Sequence, residues 1–287
     1  MTKRFKEKLA NTLPPEVLSK IYSSFDVVGD IAIIKAPANA ADAEAVAKQI
    51  MALHKNVKTV LSQTSPVKGD HRVRELTLLA GENKTVTKYK EAGCFFAVDI
   101  EKCYFSPRLK HERLRIASQV SPNETVVNMF AGVGCFSIII AKTVPQTQVY
   151  SIDINPTAYQ YMIENVRFNR VFGKVYPILG DSKHLVETKL QGVADRVLMP
   201  LPEKALEYLP TAVSALKKTG GWIHYYDFQH ASHSEDPREK TEQKVAQKLD
   251  NLGTHYMFAC SRIIRPTGPN WYQTVLDIQV GTSSSKS

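Results

Sequence analysis

Cysteine is scarce in this chain of 287 residues, and its four copies, Cys94, Cys103, Cys135 and Cys260, form no Cys-x-x-Cys pair and no zinc-type spacing with histidine. That argues against a disulfide framework and against a structural metal, so no metal site is expected. Long apolar runs are also missing. The longest, Val126 to Ala141, is broken by Asn128, two glycines and Ser137, whereas a bilayer-spanning helix needs roughly 20 mostly apolar residues. The N-terminal stretch MTKRFKEKLANTL lacks a continuous apolar core and a small-residue cleavage site, so it does not read as a secretion signal, and a cytoplasmic protein with no membrane partner is expected. There is no internal repeat. Only the serine-rich end, Thr282 to Ser287, reads as disordered.

What is present fits a folded chain, with 43% hydrophobic and 23% charged residues in a length that accommodates two domains. The formal net charge is +9 and the pI about 9.2, which favours a polyanionic partner. The excess is shared, with 16 basic against 12 acidic residues up to Cys103 and 21 against 16 beyond it. A nucleic-acid surface would therefore be built by folding and not carried on a tail.

Residues 1–103 read as an α+β domain. Residues 1–24 look helical, Asp30 to Lys35 strand-like, and Ala40 to His54 places Ala43, Val46, Ala47, Ile50 and Leu53 at helical spacing. Strands are expected at Val57 to Leu61 and Arg72 to Leu79, with more strand-like sequence from Lys84 to Asp99. Residues 104–287 change texture from Thr125 onward, alternating apolar strand, glycine or proline turn, and amphipathic helix. Strands are expected at Thr125 to Phe130, Gln148 to Ile154, Val175 to Leu179, Arg196 to Met199 and Trp222 to Phe228. Helices are expected from Ser137, from Asn155-Pro156 and over Lys204 to Leu216, with an antiparallel hairpin of Tyr256 to Ile264 and Trp271 to Val280 at the end. The fold class is α/β, a Rossmann-like seven-stranded sheet with a smaller N-terminal α+β domain.

Two segments carry chemistry. In Asn128-Met-Phe-Ala-Gly-Val-Gly-Cys-Phe136 a strand runs through Gly132-x-Gly134 into a helix, where backbone N–H groups can approach a ligand. Asp153 follows Gly132 by 21 residues at the end of the second strand, where a carboxylate can accept both hydroxyl hydrogen bonds of a ribose, and Asp181 follows the third strand. Either aspartate could instead cap the next helix. The third glycine of a dinucleotide fingerprint is replaced by Ser137, and the terminal hairpin suits S-adenosylmethionine better than NAD. The other segment, Tyr104-Phe-Ser-Pro-Arg-Leu-Lys-His-Glu-Arg113, gathers Arg108, Lys110, Arg113 and Arg115 around the one acid, Glu112. It reads either as a solvated helix start with ion pairs or as a phosphate-binding and base-stacking site with a carboxylate kept for proton transfer.

YFSPRL-x-x-ER, then NMFAGVG-x-FSI, then SIDINP-x-A, then Gly221-Trp-Ile-His-Tyr-Tyr226 resembles the archaeal and eukaryotic family of tRNA guanine-37 N1-methyltransferases. The stretches Phe25 to Ala32, His54 to Val60 and Arg72 to Glu82 are similar to that family's middle domain. The resemblance implies S-adenosylmethionine as cofactor and tRNA, at position 37 of the anticodon arm, as partner of a monomeric enzyme. It implies Glu112 as general base, Arg72 as the group answering negative charge on guanine O6, and Tyr104 as the residue packing the flipped base. For the cofactor it implies Asn128, Phe130, Gly132 and Gly134 near the methionine moiety, Asp153 on the ribose with Ile154 beside it, and Asp181 beside adenine. Arg108 is assigned to phosphate or the cofactor carboxylate, and Arg113, Pro200, Leu201 and Pro202 to the substrate. His224 reads as a satisfied core histidine.

Two departures stand out. Family members often carry an extra N-terminal domain, whereas this chain begins with the middle one. The family's Asn-Leu-Pro or Asn-Pro-Pro motif is here Met199-Pro200-Leu201-Pro202, so a side chain able to hold the guanine edge is replaced by proline. Three alternatives accompany the main reading: action on the tricyclic wyosine precursor (4-demethylwyosine) at the same position, by methylation or by aminocarboxypropyl transfer; a nicotinamide-dependent dehydrogenase; and an RNA-binding protein without activity.

Overall fold

A computed structural model describes residues 7, 10, 14–20, 25–35, 39–67 and 69–281. The chain divides into two compact units, Met1–Arg108 and Leu109–Ser287. The expected disordered end lies outside the described residues, as does most of the expected first helix, of which α1 (Pro15–Lys20) is described.

In the first unit, β1 (Asp26–Val28) turns at Gly29 into antiparallel β2 (Ile31–Ile34), and α2 (Ala40–Leu53) crosses over to β3 (Thr59–Gln63), parallel to β2. β4 (Leu76–Gly81) completes a sheet of order β1-β2-β3-β4. Asn39 caps α2 by accepting the N–H groups of Ala41 and Asp42. As the spacing requires, Ala43, Val46, Ala47 and Ile50 are buried, and they pack with Ala32, Ile34, Val57 and Val60. One expectation needs correction. The strand expected from Arg72 begins at Leu76, because Arg72 sits in a turn at φ +52° with its N–H on the Gly69 carbonyl. The stretch from Lys84 to Asp99 is a hairpin of β5 (Val86–Glu91) and β6 (Cys94–Asp99), reversed at Ala92 and Gly93, both at positive φ.

The second unit holds the expected seven-stranded sheet. Its strands are β7 (Thr125–Asn128), β8 (Gln148–Asp153), β9 (Val175–Leu179), β10 (Arg196–Met199), β11 (Gly221–His230), β12 (Tyr256–Gly268) and β13 (Trp271–Val280), in the order β12-β13-β11-β10-β7-β8-β9. β7 to β11 are parallel, and β13 is antiparallel to both β11 and β12. Along β10 and β11 alternate side chains divide the faces. Val197, Met199, Ile223 and Tyr225 join the main core with Leu209 of α7 (Ala205–Ala215) and with Val245 and Leu249 of α8 (Pro237–Asn251). α8 was not foreseen, since its charged surface hides a narrow stripe of Pro237, Thr241, Val245 and Leu249. The opposite register carries Arg196, His224 and Tyr226, with Asp277 of β13 paired to His224.

α3 (Lys110–Gln119), α4 (Cys135–Thr143) and α5 (Pro156–Phe168) follow the expected order, and Asn155 caps α5 ahead of Pro156 by accepting from Thr157 and Ala158. Asn155→Ala should cost about 1 kcal/mol of stability. Urea denaturation should show a lower midpoint at unchanged m-value, and an unaltered midpoint would mean that Pro156 alone fixes the helix start.

Candidate active site

The C-terminal ends of the parallel strands form the crevice where open α/β sheets bind ligands. Between β7 and α4 the chain passes Gly132 at φ +57° and Gly134 at φ +91°. A Cβ on Gly134 would lie about 3 Å from Met162 and Ile138 side chains, so this glycine lets the loop pack on α5. Asp153, at the end of β8, accepts the Gly132 N–H on Oδ2 at 2.6 Å and the Asn155 N–H on Oδ1 at 2.9 Å. One carboxylate thus ties the glycine loop to the strand end. Asn128 is fully buried, donating from Nδ2 to Ser137 Oγ and accepting the Phe130 N–H on Oδ1, so it braces the loop from inside.

Asp181 does cap a helix, the short α6 (Ser182–Leu185), through the N–H groups of Lys183 and His184. Its second oxygen accepts the Tyr208 hydroxyl at 2.6 Å. Burial would raise this carboxyl, but the Tyr208 and backbone hydrogen bonds outweigh it and hold it below the usual range. Phe130 packs edge-on to Tyr208. Ile154 is 43% exposed and Leu179 44%, so two apolar side chains stand open at neighbouring strand ends beside Asp153 and Asp181.

Glu112 occupies the first turn of α3 and, contrary to a solvated helix start, is buried. Arg115, one turn on, donates from Nη2 to Glu112 Oε1 at 2.7 Å and from Nε to Oε2 at 2.9 Å, and the Tyr226 hydroxyl donates to Oε1 at 2.8 Å. The other side of the same guanidinium meets Asp277 at 2.5 and 3.1 Å, where Gln119 also donates. Asp277 in turn contacts His224 Nδ1 at 2.6 Å, and Arg196 donates to His224 Nε2 at 2.7 Å while also gripping Glu124. Because a guanidinium can only donate, the neutral imidazole carries its proton on Nδ1. Burial pushes His224 below its ordinary value against the pull of Asp277. Burial would raise Asp277, but the hydrogen bonds from His224 and Arg115 reverse that and hold it well below the usual range. Burial, followed by the charge of Glu112, pushes the Tyr226 hydroxyl far up.

Arg113 is buried with its guanidinium 5.9 Å from the Phe136 ring, and Pro200, Leu201 and Pro202 form the loop leaving β10. In the first unit, Arg72 lies 3.9 Å over the Tyr104 ring, and Arg108 is paired with Asp26 at 2.6 Å. Arg74 was missed. It reaches Gln63, and burial lowers its pKa against the charge of Asp26. Tyr226, Asp277 and Tyr208 were missed too. Asp277 had a readable signal, a lone acid inside the apolar strand pattern QTVLDIQV, and Tyr226 closes the motif that begins at Gly221.

The TRM5/TYW2 methyltransferase domain family matches residues 87–252, and the TYW2 N-terminal domain family residues 5–85. This chain belongs to the TRM5/TYW2 family. It is 39% identical over 269 residues to the tRNA (guanine(37)-N(1))-methyltransferase Trm5b of Pyrococcus abyssi, covering 93% of this chain and 78% of that protein. It is 37% identical to the tRNA 4-demethylwyosine(37)-methyltransferase Taw21 of Saccharolobus solfataricus, covering 90% and 94%. The crystal structure of Methanocaldococcus jannaschii Trm5 in complex with adenosine superposes with a TM-score of 0.79 at 33% identity, covering 96% and 78%. In this TRM5/TYW2 family chain the crevice suits a nucleoside. A carboxylate oriented by two backbone N–H groups stands at the strand end, and apolar side chains beside it can meet a purine face.

The His224 arrangement has a pH consequence. The folded protein binds this proton less readily than the unfolded chain, so its contribution is fully present above about pH 6.5 and is lost as pH falls toward the lowered folded value. Urea unfolding between pH 8 and 5 should show stability falling with a slope of up to about 1.4 kcal/mol per pH unit for this group. His224→Gln should flatten that slope, and an unchanged slope would place the titration elsewhere.

Proposed function

We propose that this chain is an S-adenosylmethionine-dependent tRNA methyltransferase acting on N1 of guanosine-37. The observation that carries the reading is the pairing of a nucleoside-type crevice around Asp153 with a buried, oriented carboxylate, Glu112, in a chain of the TRM5/TYW2 family. When bound, S-adenosylmethionine supplies a methyl group on a sulfonium that departs as a neutral thioether. Asp153 holds the ribose hydroxyls, Ile154 and Asp181 line the adenine side, and the loop of Phe130, Gly132 and Gly134 lies by the methionine part. Arg108 is free to serve an anion only by leaving Asp26.

Glu112 takes the N1 proton of guanine, so the N1–H bond breaks, an O–H bond forms, and the electron pair stays on N1 to bond the methyl carbon. Under the same reading Arg72 answers the charge spreading to O6, Tyr104 packs the base, and Arg113 with Pro200, Leu201 and Pro202 meets the substrate. Residues 104–287 are the methyltransferase domain, residues 1–103 bind tRNA and supply Arg72, recognition centres on the anticodon arm, and the enzyme works as a monomer in the cytoplasm. Methylation of the tricyclic precursor is the second reading, favoured by one observation. Pro200 offers no hydrogen-bond donor or acceptor to a guanine edge and presents an apolar wall to a wider base.

Asp153→Ala should weaken S-adenosylhomocysteine binding by about 10-fold or more in calorimetry, the loss of charge-assisted hydrogen bonds. Unchanged affinity would remove Asp153 from the site. Glu112→Gln should lower single-turnover methyl transfer by roughly 100-fold with tRNA affinity kept. A loss confined to tRNA affinity would make Glu112 a binding residue. Nucleoside mass spectrometry of an unmodified tRNA transcript bearing G37, run beside tRNA bearing the tricyclic base, decides the substrate. The proposal expects 1-methylguanosine on the transcript, and methylation of the tricyclic base alone would replace it with the second reading.

A further inference from the structure

The Glu112 carboxylate is not a lone base in a pocket. Its side chain is 4% exposed, yet three hydrogen bonds converge on it, two on Oε1 from Arg115 Nη2 and Tyr226 and one on Oε2 from Arg115 Nε. An ionised carboxylate has about four lone-pair sites. Three are filled, and the remaining one is on Oε2. The fork of Arg115 fixes the plane of the carboxylate, and Tyr226 fixes which oxygen is spent. Arg115 is itself held from behind by Asp277, which is 3% exposed and further anchored by Gln119 of α3 and His224 of β11.

Charge balance gives Asp277 a second task. Two carboxylates share one guanidinium, so when Glu112 accepts a proton and becomes neutral, Arg115 still faces an anion at 2.5 Å. Without Asp277 that proton transfer would leave a guanidinium only 14% exposed with no counter-charge, a costly state inside a protein. We propose that Arg115, Tyr226 and Asp277 are positioning residues for the methyl transfer, orienting Glu112 so that a single Oε2 lone pair receives the proton and keeping Arg115 neutralised after it has moved. The inference rests on the reading of Glu112 as the base.

The test is a double-mutant cycle on single-turnover methyl transfer to tRNA with G37, with dissociation constants for tRNA and S-adenosylhomocysteine measured alongside. Tyr226→Phe and Asp277→Asn should each lower the rate constant by about 10-fold while both dissociation constants stay within about 2-fold. In the Glu112→Gln background neither should lower it further, because both act through that carboxylate. Arg115→Lys, which keeps the charge and loses the fork, should not restore the full rate. Equal losses in both backgrounds, a loss confined to binding, or unchanged rates would overturn the inference. If Glu112→Gln itself keeps the wild-type rate, the base assignment has failed. If Glu112→Gln is slow but Tyr226→Phe is not, the inference alone has failed. Should Asp277→Asn not fold, Tyr226→Phe decides by itself, since it removes one hydroxyl from a ring still packed on Phe136.

Discussion

The double clasp of Arg115 on Glu112 and Asp277 organises the second unit. It joins the first turn of α3 to β13, two segments separated by more than half of the chain, and both of its carboxylates are buried. Buried charges of this kind contribute little net stability when complete and cost several kcal/mol when one partner is removed. The rest of the polar chain follows from that constraint. Asp277 has spare oxygens that must be satisfied, which His224 and Gln119 do. His224 then needs a donor on Nε2, which Arg196 supplies, and Arg196 closes its own charge on Glu124. Each step is forced by the desolvation of the one before.

At the strand ends the same economy of polar groups operates without buried cations. Asp153, Asn155 and Asp181 each give oxygens to backbone N–H groups at a turn or helix start. These bonds fix the direction of each side chain at its strand end. A carboxylate fixed by backbone donors is an acceptor whose direction is settled before a ligand arrives, which lowers the ordering cost of binding. The Gly132 N–H to Asp153 bond couples that acceptor to the loop, so loop and acid behave as one element.

Much of this architecture was legible in the sequence because it rests on local signals. Asn155-Pro156 marked a helix start, and apolar residues at helical spacing marked Ala40 to His54, where the helix runs to Leu53. The parallel strands at Val175 to Leu179 and Arg196 to Met199 were readable as short apolar runs between turn residues. The failures have physical causes. Arg72 reads as strand because its neighbours alternate, but a left-handed backbone at that residue ends the pattern before Leu76. The helix Pro237–Asn251 carries so many charges that its four buried positions do not stand out. The cluster around Glu112 was read as one local knot of charge, whereas the partners that define it, Tyr226 and Asp277, come from distant strands. No local rule brings residues 112, 226 and 277 together; the sheet register does, by aligning His224 with Asp277.

The hydrogen-bond chain makes one claim that a single measurement reaches directly, the proton position on His224. Long-range ¹H–¹⁵N correlation spectra of protein labelled at histidine, recorded at about pH 7, distinguish the two neutral tautomers and the imidazolium. A continuous chain from Arg196 through Asp277 to Arg115 requires a neutral ring protonated on Nδ1, with Nε2 accepting from Arg196. Observation of the Nε2–H tautomer, or of a doubly protonated ring, would contradict it and break the chain that holds Glu112 in place.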